Sequence, residues 1–294
     1  MNSIQFKKEK SKKFRERFLK NSILYIIMIL IAVLMVFPFL WTFLSSVKSQ
    51  SENISQVFKL LPEGNIFEWE WSNYSTAIES MDFMRGLVNT LIITIPKLFG
   101  DIFVSACVAY GFSRFDFPYK KQIFLVLLAS LMVPFEVTMV PLYYVYSQMG
   151  WINTYLPLIL PSIFGASQFI FFLTMYFMTM PEDIISAAKI DGLNDFEIFT
   201  KMYIPISIPA FVVVGIWSFQ GSWNDLLGPL IWLQSAEKFT LQLSLASLSN
   251  TTTYHVEQGV ILAATILVMI PILILFISLQ RYILESSKTS GIKG

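Results

Sequence analysis

Lys97 and Asp101 stand four residues apart in a segment, residues 86–112, that carries no other charge. On a helix this spacing puts both side chains on one face, where they can pair. A charge at bilayer depth costs about 2.5 to 3.5 kcal/mol on insertion scales and faces a bundle interior or a cavity. The two residues therefore read either as a structural ion pair at a subunit interface or as part of a pathway or gate. Trp223, Asn224 and Asp225 form a second cluster. An aromatic face stacks on a sugar ring, and an amide and a carboxylate bond hydroxyls, so the three are a candidate translocation path. An interfacial Trp with polar neighbours gives the same sequence. Catalysis and metal binding have no visible carriers. His255 and Cys107 are the only histidine and the only cysteine, and neither has a base or ligand partner in view. No catalytic residue and no metal site is assigned, and one thiol excludes an intramolecular disulfide. The phosphate-loop pattern G-x-x-x-x-G-K-[ST] does not occur, so ATP chemistry would have to come from another chain.

The elements that must position these residues are apolar. The chain has 294 residues, 55% hydrophobic and 16% aromatic, and a mean hydropathy of +0.61, well above a soluble domain. Spanning a bilayer takes about 20 residues. Six windows qualify, at about 23–46, 86–112, 123–146, 157–180, 206–232 and 259–280. The first is longer than a signal-peptide core of about 15 residues and lacks a small-residue cleavage pattern, so it is read as a retained span.

Basic residues set the orientation. With a cytoplasmic N-terminus, sixteen of the 21 Lys and Arg residues fall on the inside, four outside and one, Lys97, within a span. The positive-inside rule then places both termini in the cytoplasm. The organisation expected is a basic N-terminus at 1–22, a six-span domain at 23–280 surrounded by membrane lipid, and a cytoplasmic tail at 281–294. The basic N-terminus is read as a topology signal rather than a nucleic-acid arm, and no nucleic-acid partner is assigned. The outer segments 48–85 and 233–258 are the longest on that face. Either a soluble partner or the lipid headgroups would meet the aromatic residues of "FEWEWSNY" at 67–74.

The longest inside connection is "PEDIISAAKIDGLNDFEIFTKMYIP" at 181–205. Pro181 with Glu182 and Asp183 makes a helix start. Gly192 supplies a left-handed stop after about Ile190. Asn194 and Glu197 can form a capping box for a second helix, expected to end at Ile204 because Pro205 opposes helical geometry before it. Ile184, Ile185, Ala188, Ile190, Phe196, Phe199 and Met202 make the pair partly apolar. The pair must lie against a surface, and small side chains at Ala187 and Ala188 permit close approach. That surface is either a partner's or the chain's own bundle.

This stretch resembles the EAA motif of ABC importer permeases, with Ala187, Ala188, Asp191, Gly192, Phe199 and Pro205 at motif positions and Ser186 in the place of the motif's Glu. "NYSTAIESMDFMRGLVNTLIIT", "VAYGFSRFDFPYKK", "MVPFEVTMVPLYYVY", "WNDLLGPLIWL", "FTLQLSLASL" and "LQRYILESSKTSGIKG" follow the order and approximate spacing of the maltose-type sugar permeases, on the side of their smaller, MalG-like membrane subunit. The likeness covers about residues 70–294. It implies an all-α polytopic membrane protein of the type I ABC importer permease fold, with six transmembrane helices and a cytoplasmic coupling helix. The expected place is a bacterial-type cytoplasmic membrane. The expected role is import of a carbohydrate, an oligosaccharide by preference. The partners implied are a second permease subunit forming a heterodimer, two ATP-binding subunits or a homodimer of one, and an extracytoplasmic sugar-binding protein. No cofactor would be held by this chain; ATP and Mg would act through the partner ATPase.

By the same resemblance, Ser186, Ala187, Ala188, Asp191, Gly192, Phe199 and Pro205 would dock in the ATPase. The loss of the motif's Glu removes a charge-assisted bond that contributes about 1.5 to 3 kcal/mol; Glu182 or Asp183, a turn earlier, is a candidate substitute. Gly291, Ile292, Lys293 and Gly294 would contact the ATPase as a tail, and segment 233–258 would probe the sugar site of the binding protein. The competing classes are an importer of a non-sugar solute, an ion-driven secondary transporter, which would show inverted repeats and midplane charges, and a membrane-embedded enzyme.

Overall fold

The computed structural model of the chain describes residues 3–55, 57, 59–250 and 256–290. Every regular element among the described residues is helical. Four helices are long and apolar enough to cross a membrane, and the number rises to six if each of two bent pairs counts as one span. The four are Lys20–Ser46, Phe83–Arg114, Leu156–Phe177 and Gln258–Arg281; the pairs are Lys120–Ser130 with Phe135–Gln148 and Asp195–Ile206 with Ile208–Trp223. Two compact units are formed, Met1–Thr76 with Val256–Ile266 and Ala77–His255 with Leu267–Gly294.

In the smaller unit, one helix runs from Ser3 to Ser46. Residues 23–40 of it are all exposed, and burial begins only at Leu44, Ser45 and Ser46 near its end, which suits a helix facing lipid or another subunit. At its C-terminal end, carbonyls that lack an intrahelical partner must be satisfied from elsewhere. Asn73 does this, donating from Nδ2 to Ser46 O at 2.9 Å and Lys48 O at 3.2 Å. The approach requires Gly259, because a Cβ there would lie 2.5 Å from Asn73 Nδ2. Beyond the helix, Lys48 donates to Lys59 O and lies 4.8 Å from the Trp41 ring centroid. Glu52 closes a capping box on Ser49 and accepts from the Glu63 amide at 2.7 Å.

The larger unit holds the candidate sites. Ala106 and Ala109 let the second span pack tightly against Phe169, Leu173 and Phe177 of the fourth, in a core that also takes in Val214. Small residues at such contacts allow backbones to approach closely. A second cluster joins Ile93, Leu158, Trp232, Leu233 and Leu243.

Three of the expected spans are not single regular helices. The segment expected at 123–146 is two helices meeting at 95°. Pro134 disfavours helical geometry in Val133, and the chain restarts at Phe135 with Pro134 as its extended N-cap. The fourth span loosens into a 3₁₀ turn at Leu160–Phe164 and breaks at Gly165, whose φ of 79° favours glycine. The fifth ends at Trp223, and a separate helix forms at Leu227–Trp232. The last helix continues through Ser290, into the region expected as tail.

Candidate functional site

The connection at 181–205 begins as its local signals require. A helix runs from Glu182 to Ile190 behind Pro181, which is its N-cap. Gly192 at φ 84° turns the chain, and the Leu193 amide returns to Ala188 O at 3.1 Å, one of the bonds that close a glycine-terminated helix. Asn194 Oδ1 accepts from the Glu197 amide at 2.9 Å, and Glu197 Oε2 accepts from the Asn194 amide at 3.1 Å. Lys201 pairs with Glu197 at 2.8 Å.

The second helix does not stop before Pro205. It widens into a π-turn at Phe199–Tyr203 and continues as Ile204–Ile206, bending by 75° at Ser207. Pro205 follows directly on the π-turn, where the α-helical hydrogen-bond register is already interrupted.

The motif residues divide between two faces. Ile185, Ala188, Ile198, Phe199 and Tyr203 are buried in the chain's own core against Ala109, Tyr110 and Phe177. Tyr110 Oη donates to Asp195 O at 3.0 Å and fastens the second helix to the second span. Ser186, Ala187, Asp191, Gly192 and Pro205 are exposed, as are Glu182 and Asp183. Ile190 is 86% exposed and Phe196 74%. These are two large apolar side chains on the connection that the chain itself leaves uncovered. The chain's own bundle is thus the surface for one face of this element, and the other face is left open. Ala188 and Phe199 belong to the inner one.

The second site is a cavity of about 460 Å³ in the larger unit. Lys97, Asp101, Gln168 and Asp225 supply its charged and amide groups, with Ser162 and Gly165 where the fourth span is unwound. The second span is irregular here as well, with a π-turn at Gly100–Val104. Gly100 lies against the Ser162 carbonyl so closely that a Cβ would come to 2.7 Å from it. Asp101 is buried, and its Oδ2 accepts from Ser218 Oγ at 2.7 Å. Lys97 is near enough for its charge to act on Asp101, yet the two make no ion pair within 4.0 Å. Asp101 is instead bonded to Ser218 of the fifth span, a partner that takes its carboxylate away from Lys97.

Of the candidate path residues, only Asp225 lines the cavity. Its Oδ1 accepts from the Gly228 amide at 3.0 Å and starts the helix at Leu227–Trp232. Trp223 is 1% exposed, donates from Nε1 to Val268 O at 3.1 Å and stacks on Phe219. Its aromatic face is occupied by protein. Asn224 is exposed and accepts from Gln242 Nε2 at 3.4 Å. Gln168 and Ser162 were not anticipated, although Pro157, Pro161 and Gly165 mark the broken span that presents them. Gly291, Ile292, Lys293 and Gly294 lie outside the described residues, as does His255.

The sequence matches the protein family described as "Binding-protein-dependent transport system inner membrane component" over residues 101–287. It is 31% identical over 266 residues to the diacetylchitobiose uptake system permease protein NgcG of Streptomyces coelicolor, covering 90% of this chain and 86% of that one. It is 32% identical over 264 residues to the arabinooligosaccharides transport system permease protein AraQ of Halalkalibacterium halodurans, covering 90% and 93%. The fold is similar to a chain in the crystal structure of a bacterial ABC transporter involved in the import of the acidic polysaccharide alginate. The TM-score is 0.78 at 20% identity, with 91% of this chain and 98% of that chain covered.

Proposed function

The chain belongs to the family of binding-protein-dependent transport system inner membrane components, and from that premise we propose that it forms part of the translocation path of an ATP-driven importer of oligosaccharides. Relatives named for diacetylchitobiose and arabino-oligosaccharides support the cargo class. The arrangement at 181–206 supports the energy source. Its inner face is built into the core of the spans, while its outer face presents Ser186, Ala187, Ile190 and Phe196. A rigid element with one face in the bundle and one apolar edge free transmits the movement of whatever binds that edge. The partner is a cytoplasmic ATP-hydrolysing subunit, which brings ATP and Mg; a second permease subunit and an extracytoplasmic binding protein complete the importer.

On this reading the inside connection and both termini face the cytoplasm. Docking at Ser186 rests on shape and on the exposed apolar pair, because the motif's carboxylate is absent there. Expression of the chain with its partner permease and affinity purification in mild detergent test the reading. An ATPase should accompany the wild type and be lost on Phe196→Asp. Retention of the ATPase by that variant would overturn the assignment of the docking face.

A further inference from the structure

We propose that the cavity at Lys97, Asp101, Gln168 and Asp225 is a saccharide-binding site on this chain that accepts a neutral sugar unit and excludes an acidic one. The proposal rests on the oligosaccharide reading above and adds to it a place and a charge preference. At about 460 Å³, the cavity falls within the roughly 300 to 1,000 Å³ of small-molecule sites. Its polar groups are held by the fold but not used up by it. Asp101 commits Oδ2 to Ser218, and Asp225 commits Oδ1 to Gly228; each carboxylate has one further oxygen with no hydrogen bond to the described residues. The Lys97 ammonium and the Gln168 amide likewise make no hydrogen bond to the described residues.

The site thus sets two free donors among free acceptors. A sugar hydroxyl both donates and accepts, so neighbouring hydroxyls on one ring match this alternation. Phe135, 39% exposed on the cavity wall, offers apolar surface to the ring face.

The charge balance gives the selectivity. One ammonium faces two carboxylates. A uronic acid would bring a third carboxylate beside these two, at a separation where like charges repel. A neutral ring brings none.

The test uses the assembled importer. Import of diacetylchitobiose and arabinotriose by the complete system with its binding protein identifies a neutral probe; import of neither overturns the oligosaccharide reading and the site with it. Equilibrium binding of that probe and of digalacturonate is then measured on the permease–ATPase complex in nanodiscs without the binding protein. The neutral sugar should bind and digalacturonate should bind at least tenfold more weakly. Gln168→Leu, at an exposed side chain that the fold does not depend on, should weaken the neutral sugar at least tenfold. Asp225→Asn retains an oxygen for the Gly228 amide and should narrow the gap between the two sugars at least threefold. Neutral binding unaffected by Gln168→Leu, or digalacturonate bound as well as the neutral sugar by the wild type, would overturn the site while leaving the importer reading intact.

Discussion

Ala187 and Ala188 are neighbours in sequence about 100° apart around one helix, Ala188 5% exposed in the core of the bundle and Ala187 open to the outside. The motif that contains them therefore anchors one face in the spans and leaves another uncovered by the chain.

The two alanines should respond differently to the same change. Ala188→Arg overpacks the core, at about 1 to 3 kcal/mol for the volume alone, and buries a charge among Ala109, Tyr110 and Phe177. Thermal unfolding in detergent should show a clear loss of stability. Ala187→Arg should leave the unfolding temperature within a degree or two and remove the ATPase. Equal stability for the two variants would contradict the division of faces.

Gly100→Ala should weaken the junction between the second and fourth spans, because the new Cβ would meet the Ser162 carbonyl at 2.7 Å and the backbone there cannot swing aside as a side chain would. A cost of about 1 to 3 kcal/mol is expected, with reduced transport. Unchanged stability would mean that the two backbones are further apart.

Ser218→Ala deprives Asp101 of its hydrogen-bond donor, and leaving a buried acceptor unsatisfied costs about 1 to 3 kcal/mol. Ser218→Thr, which keeps the hydroxyl, should recover part of the stability lost in chemical unfolding. Equal effects of Ala and Thr would show that the bond contributes nothing.

Acid should open the segment after the first span. Burial raises the Glu52 carboxyl, but the amides of Glu63 and Ser49, the Ser49 hydroxyl and the Lys48 charge together outweigh it, so its pKa lies below the ordinary 4.5. A carboxylate lowered in the folded state stabilises above its unfolded value, and that contribution is lost as pH falls through the folded one. The protection factor of the Glu63 amide, its intrinsic exchange rate at each pH divided by the observed one, should be high at neutral pH and fall below about pH 4.5. Glu52→Gln should flatten this dependence, and an unaltered pH profile would contradict it.

The helix–turn–helix at 181–206 was legible because its signals are local: Pro181, Gly192 and the Asn194–Glu197 box each act within a few residues. Which alanine faces inward was not, since that depends on Ala109, Tyr110 and Phe177 from other spans. Lys97 and Asp101 were found as the charges of a span, and both line the cavity. The two make no ion pair within 4.0 Å, because Asp101 bonds Ser218 from another span, a partner that no local spacing announces. Trp223 had the right chemistry for a sugar site, but tertiary packing against Val268 and Phe219 claimed it first. Gln168 carried no charge to draw notice and reaches the cavity only through the break at Gly165.

The central claim, that this chain carries sugar by coupling to an ATPase through its 181–206 element, is tested most directly by uptake into proteoliposomes. They would hold the complete importer with its binding protein outside and radiolabelled diacetylchitobiose or arabinotriose as cargo. Uptake should require ATP inside, persist when ion gradients are collapsed, and disappear in Phe196→Asp. Uptake driven by a proton or sodium gradient without ATP, or undiminished in that variant, would contradict it.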